Sequence, residues 1–259
     1  LLNIHSISSY FSYLLNAKDE HSIHAPFIFN LYTEVICDEN PFYVFEQIEG
    51  IRSLLLKSQK SINIDDFGAG KGGSYTKKVS SIASKSLKNA KYAQLLFRLV
   101  NYFKPEYIIE LGTSLGITTM YLASINKNSR VTTFEGSNEI ASLAELNFKQ
   151  LNLTNINLIR GNMNNTLKTQ LSKLKRVDFA FIDGNHSYDA TIDYFNNIIN
   201  YTDKNSVLVL DDIYWSSEMT KAWEEIKKNP NVFSTIDLYH LGIVFLNHEL
   251  TKQHFKLRF

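Results

Sequence analysis

The sequence predicts an α/β chain: a mostly parallel sheet covered by helices on both faces and preceded by a helical N-terminal segment. Three observations lead there. From Ala90 onward, short apolar stretches alternate with helix-like stretches, the pattern of right-handed βαβ units. Within it, Tyr107 to Tyr121 reads YIIELGTSLGITTMY. An apolar run breaks at Gly112 and a helix-forming segment begins after Gly116, as where a buried parallel strand turns into a helix start. At the end, VFSTIDLYH (232–240) and IVFLN (243–247) lie too close together for a crossover helix. They are expected to form an antiparallel hairpin through Leu241-Gly242.

The N-terminal third reads differently. Ile4 to Leu15 and Pro26 to Ile36 are expected to be short amphipathic helices, with Pro26 in a first turn. Their aromatic cluster, Tyr10, Phe11, Tyr13, Phe27, Phe29 and Tyr32, suits a core or a homodimer interface better than a substrate pocket. His21 and His24 have helical spacing that a metal could use, but no Cys or third His stands near, so packing around the proline turn is the stronger reading. Residues 62–73, INIDDFGAGKGG, fit G-x-G-x-x-G at Gly68, Gly70 and Gly73. No Asp or Glu occurs between Asp66 and Glu106 to hold a ribose, and Lys71 is followed by Gly. Neither a dinucleotide fingerprint nor a P-loop is therefore expected, and the stretch is read as a loop. Lysines 71, 77, 78, 85, 88 and 91 interleave with Val79, Ile82, Ala83 and Leu87, which suits an amphipathic helix with a solvated basic face.

A helix over 90–103 is closed by Lys104-Pro105. Strands are then expected at 107–112, 130–136, 156–162, 177–183 and 206–213, separated by helices near 117–125, 137–151, 164–175, 187–201 and 216–229. With the closing pair this makes seven strands.

The chain has 259 residues, 44% of them hydrophobic, enough for one large or two modest domains with a proper core. Its 27 basic and 26 acidic side chains give no global argument for nucleic acid or membrane. The single cysteine, Cys37, cannot form an internal disulfide and suits a reducing compartment. No apolar run reaches the roughly 18 residues of a transmembrane helix. A soluble cytoplasmic protein is expected.

In a parallel sheet the carboxyl ends of the strands line the ligand crevice. The first strand end supplies Glu110, Gly112, Thr113, Ser114 and Gly116. The second supplies Glu135 and Gly136, where a carboxylate can accept two hydrogen bonds from a ribose diol. The third supplies Gly161, Asn162, Met163 and Asn164, suited to the edge and face of an adenine. Asp183-Gly184-Asn185-His186 and Asp211-Asp212, followed by Tyr214 and Trp215, close the fourth and fifth. Singly, each could be a cap or a turn. Together, so many acids at strand ends need a ligand, a cation or altered protonation to offset them.

With these residues in place, the last 170 or so residues resemble the class I S-adenosylmethionine-dependent methyltransferases. They are most similar to the small-molecule O-methyltransferases of the catechol and caffeoyl-coenzyme A type. ELGTSLGITT is similar to that family's first motif, FEG to its ribose-binding acid, FIDGNHSY to its fourth-strand motif and LDDIYW to its fifth-strand motif. The resemblance implies a Rossmann-like, seven-stranded methyltransferase sheet with a reversed last strand, formed by residues 89–259, with residues 1–88 as a helical extension or cap.

It further implies Glu110, Gly112, Thr113, Ser114, Gly116 and Thr118 around the methionine part of S-adenosylmethionine. Glu135 and Gly136 would stand at the ribose, and Asn162, Met163, Asn164 and Asp183 would complete the cofactor site. Asp183, Asp211 and Asp212 would occupy the positions of a divalent metal such as Mg²⁺, Asp212 replacing the family's Asn. His186 stands where the family carries a Lys and is the candidate base, with Asp183 beside it; capping or stacking on Tyr188 is its bland alternative. Trp215 either walls the acceptor pocket or packs.

The implied reaction is O-methylation of a small-molecule acceptor, with residues 1–88 and the Gly68–Gly73 loop shaping specificity. Methylation of tRNA or other RNA, supported only by the lysine run, and a non-catalytic cofactor-binding protein are the rival readings.

Overall fold

The structure, a computed structural model, describes residues 4–66 and 73–259. In chain order the elements are α1 (Ile4–Asn16), α2 (Pro26–Leu31, continued by a π turn over Tyr32–Ile36), α3 (Tyr43–Lys57), β1 (Ser61–Asp66), β2 (Gly73–Lys78), α4 (Val79–Ser86), α5 (Ala90–Phe103), β3 (Tyr107–Leu111), α6 (Ile117–Ala123), β4 (Arg130–Glu135), α7 (Asn138–Gln150), β5 (Ile156–Arg160), α8 (Met163–Leu171), β6 (Phe179–Ile182), α9 (Tyr188–Ile199), β7 (Val207–Asp211), α10 (Ser217–Lys228), β8 (Ser234–Asp237), β9 (Leu241–Phe245) and β10 (Gln253–Lys256). Strands β3 to β10 run in the order β10-β8-β9-β7-β6-β3-β4-β5. The sheet is mostly parallel, with β9 antiparallel to both β7 and β8.

Three expectations are corrected. The sheet has eight strands rather than seven, because β10 adds to β8 in parallel. Its four residues bury only Phe255, too faint an alternation to read as a strand. The hairpin turns at 238–240 instead of Leu241-Gly242. There the Asp237 carboxylate accepts the Tyr239 N–H at 2.9 Å and Tyr239 takes a left-handed φ of 68°, so the chain reverses early and both predicted turn residues enter β9. Residues 61–66 and 73–78 form the antiparallel pair β1-β2, and the basic helix is confined to Val79–Ser86. Ile62 and Ile64 alternate inward, which makes a strand the better way to bury this stretch. Gly68, Gly70 and Lys71 lie outside the described residues.

The chain forms two compact units, residues 39–173 and residues 1–38 with 174–259. In residues 39–173 one core joins Ile48 and Ile51 of α3, Ile62 of β1, Val79 and Ile82 of α4, Phe97 of α5, Tyr121 of α6 and Phe148 of α7. Much of the predicted N-terminal extension therefore shares its core with the helices around β3 and β4.

In the other unit, α1, Lys18 after it and the π turn after α2 are fixed to the chain's end. The Tyr13 hydroxyl donates to the Leu257 carbonyl, Tyr32 donates to Arg258 O at 3.0 Å, and Lys18 N–H donates to Lys256 O at 2.9 Å. Trp223 of α10 is fully buried and lies directly over Gly242 of β9. Among the described residues no helix is long and apolar enough to cross a membrane.

A Cβ at Gly242 would stand 2.7 Å from the Trp223 ring. Gly242→Ala is therefore expected to lower stability by roughly 1–3 kcal/mol, the usual range for overpacking a well-filled core. Urea denaturation followed by Trp fluorescence checks this.

Candidate functional site

In residues 39–173 the site is built where β3 meets its turn. Strand β3 is buried along its whole length, and the turn after it bends through left-handed residues at Gly112 (φ 103°), Ser114 (φ 48°) and Gly116 (φ 82°). At Gly116 a Cβ would stand 2.5 Å from the Phe148 ring, so packing against α7 requires glycine there. The Gly112 and Thr113 N–H groups both donate to Phe134 O, at 3.2 and 2.9 Å, which draws the turn onto the end of β4.

Glu135, the last residue of β4, completes that link. Its Oε2 accepts the Ser114 N–H at 2.9 Å and its Oε1 accepts the Ser137 N–H at 2.9 Å. Burial raises its carboxyl to about 6, against the pull of the Ser137, Ser114 and Gly136 N–H groups.

Glu110 lies deeper and is completely buried. The hydroxyls of Thr119 and Thr133 both donate to its Oε2, Thr133 at 2.7 Å. Thr133 is bonded in turn to the Thr113 hydroxyl at 2.6 Å. Oε1 has no hydrogen-bond partner among the described residues. Burial lifts this carboxyl to about 7; the two threonine hydroxyls pull it back and the charge of Glu135 pushes it further up.

The third strand end joins the same region. Gly161 (φ 106°) donates its N–H to Glu135 O at 2.9 Å. Asn162 caps α8 by accepting the Asn164 N–H at 2.9 Å, and Met163 opens the helix half-buried. Thr118 is nearly buried in α6. The predicted residues Glu110, Gly112, Thr113, Ser114, Gly116, Thr118, Glu135, Gly136, Asn162, Met163 and Asn164 thus lie at the carboxyl ends of the neighbouring strands β3, β4 and β5.

Four supporting residues escaped the sequence reading. Thr119 and Thr133 hold Glu110, Ser86 of α4 is bonded to the Ser114 hydroxyl at 2.8 Å, and Asn147 donates to Leu115 O at 2.8 Å.

In residues 174–259, Asp183 follows β6 and its Oδ1 is 3.5 Å from His186 Nε2. Trp215 is 61% exposed, with its ring 6.4 Å from that of His186, so it does not pack into the core. Asp211 ends β7, buried and opposite Leu241. Asp212 turns away in a left-handed conformation (φ 49°), donates its N–H to His240 O at 2.7 Å and faces His240 Nδ1 at 3.5 Å. His240 was missed because its segment read as strand.

Among the described residues no group of three or more His, Cys, Asp or Glu side chains is placed to hold a metal ion. Asp183 lies beside His186 and Asp212 beside His240, while Asp211 is buried at the end of β7.

Residues 109–213 match the sequence family described as Methyltransferase domain. No curated protein matches the chain in sequence. Among solved structures, the chain is similar to an O-methyltransferase from Bacillus cereus in complex with S-adenosylhomocysteine, at 16% identity over 83% of this chain and 96% of that one, with a TM-score of 0.57. A proposed O-methyltransferase from Klebsiella pneumoniae gives 14% identity, 81% and 92% coverage and a TM-score of 0.59. A proposed caffeoyl-CoA O-methyltransferase from Staphylococcus aureus gives 17%, 65% and 88%, and 0.56. At these identities the likeness carries the fold, which is the Rossmann-like fold of class I methyltransferases.

Because the folded-state carboxyl of Glu110 sits at about 7, above its ordinary value, its contribution favours folding at pH 4 and is lost as the pH climbs toward 7. The change from an ordinary carboxyl amounts to roughly 3 kcal/mol. Glu110→Gln removes it, so the variant is expected to gain stability relative to the wild type between pH 5 and pH 8, as read by denaturation midpoints at the two pH values.

Proposed function

We propose that the chain transfers a methyl group from S-adenosylmethionine to an oxygen of a small-molecule acceptor. The observation that supports this most is Glu135, a carboxylate at the end of β4 bound to the turn after β3 through Ser114 N–H. It lies within the segment that matches a methyltransferase domain. The fit of the cofactor rests on a second feature: Glu110 and Glu135 lie under one turn, one oxygen of Glu110 has no partner among the described residues, and the charge acting on Glu110 is of its own sign. A ligand with a cationic end suits that arrangement. The Bacillus cereus neighbour was solved with S-adenosylhomocysteine, which agrees with the same choice.

In this reading Glu110, Gly112, Thr113, Ser114, Gly116 and Thr118 hold the methionine part, Glu135 and Gly136 the ribose, and Asn162, Met163 and Asn164 the adenine. The bound cofactor supplies an electrophilic methyl group, which an in-line displacement delivers to an aligned nucleophile. The chain's own task is then to position the acceptor hydroxyl and remove its proton.

His186 is the base of this proposal. With Nε2 facing Asp183, Nδ1 is left to accept the proton, and the Asp183 carboxylate orients the ring and stabilises the imidazolium. Trp215, exposed beside His186, offers a flat apolar surface for a planar acceptor.

Calorimetry with S-adenosylhomocysteine should show saturable binding to the wild type. Glu135→Ala should weaken it by roughly tenfold to a hundredfold, the effect of losing hydrogen bonds to a charged group. His186→Ala should bind it as the wild type does, and both it and Asp183→Ala should lose turnover with a panel of catechol and hydroxycinnamoyl acceptors. Wild-type protein that binds no cofactor, or unchanged turnover in both variants, contradicts the proposal.

A further inference from the structure

A buried chain of hydroxyl groups lies behind the turn after β3, and two of its members, Thr119 and Thr133, have no part in the proposed cofactor contacts. Thr119 and Thr133 both donate to Glu110 Oε2. Because Thr133 spends its hydrogen on Glu110, it accepts from Thr113, 2.6 Å away. The three threonines come from α6, β4 and the turn after β3. All three are buried, as is Glu110.

The charged group that β4 brings to bear on Glu110 is Glu135, of the same sign, and α6 carries no charged residue. The forces that favour ionisation of Glu110 are the two hydroxyls alone. A buried carboxyl so placed keeps its proton unless a positive charge arrives. Since Oε2 already accepts two hydroxyls while Oε1 has no hydrogen-bond partner among the described residues, that proton belongs on Oε1. S-adenosylmethionine carries a sulfonium, an ammonium and one carboxylate, so its methionine end is cationic in net.

We propose that Thr113, Thr119 and Thr133 are positioning residues that hold Glu110 as a proton-linked counter-charge for the cofactor: Glu110 keeps a proton in the free protein and releases it to solvent when the cationic cofactor binds. The step breaks the carboxyl O–H bond, sends the proton to water and changes no bond in the cofactor. It rests on the cofactor assigned under the proposed function. Its consequence is an affinity for S-adenosylmethionine that falls with pH on the acid side of neutrality, independently of methyl transfer.

Titration calorimetry of the whole chain with S-adenosylmethionine tests this in two buffers of different ionisation enthalpy, at pH 6 and at pH 8.5. The wild type is expected to release about one proton at pH 6 and almost none at pH 8.5, with affinity weakening about fivefold from pH 7 to pH 6. Glu110→Gln should lose the larger part of the proton release and move the acid limb to lower pH, leaving only the share of Glu135, whose carboxyl is raised to about 6.

Thr133→Val keeps Glu110 but removes one donor, and should move the midpoint of the acid limb to higher pH. Thr133→Ser should restore it. A merely structural role for Thr133 would weaken binding equally at every pH. Binding without proton release at pH 6, or a proton release and acid limb in Glu110→Gln equal to those of the wild type, overturns the inference and leaves the cofactor assignment standing. Failure of the wild type to bind at either pH overturns both.

Discussion

Two carboxylates under one turn set the conditions for residues 39–173. Glu110 is sealed beneath the end of β3 and Glu135 stands at the end of β4, each raised by burial, and the charge that acts on Glu110 is the like charge of Glu135. The protein holds them with hydrogen-bond donors: three backbone N–H groups at Glu135 and two threonine hydroxyls at Glu110. Those donors fix the turn in turn. Ser114 takes its left-handed φ while donating to Glu135, and Thr113 is tied to Thr133. The shape of the cradle and its charge are one arrangement, and a ligand with a cationic end and a diol answers both.

The surroundings support that arrangement mechanically. Phe148 of α7 fills the space beside Gly116, Asn147 holds the Leu115 carbonyl, and Ser86 reaches Ser114 from α4. Packing and hydrogen bonding thus fix a turn that intrinsic propensity would leave adaptable. In residues 174–259 the polar groups pair differently: Asp183 with His186, Asp212 with His240, and Tyr214 with Asp237 at 2.6 Å. These carboxylates lie beside imidazole and phenol groups.

What could be read from the sequence was what is local. The apolar run ending in Glu110, the glycines at 112 and 116 and the acid at 135 are consecutive features, and the strands and helices from Ala90 to Lys228 follow with small shifts at their ends. What could not be read depends on register or on tertiary packing. Glu110 meets Thr133 because the parallel register of β3 and β4 sets them opposite, and no sequence spacing states that register. His240 was hidden by a turn that Asp237 moved three residues early. Strand β2 lost to a helical reading because its lysines suited a solvated face in either structure, and β1 lay in a stretch read as a loop. Strand β10 is an edge addition of four residues with one buried side chain.

The central claim is that the ends of β3, β4 and β5 form one cofactor cradle. Its most direct test is a titration of isotopically labelled protein with S-adenosylhomocysteine, followed by backbone amide resonances. The account predicts saturable shifts concentrated at Gly112–Gly116, Glu135–Ser137 and Gly161–Asn164. Saturable shifts that leave these three stretches unmoved, or no shifts at millimolar ligand, would contradict it.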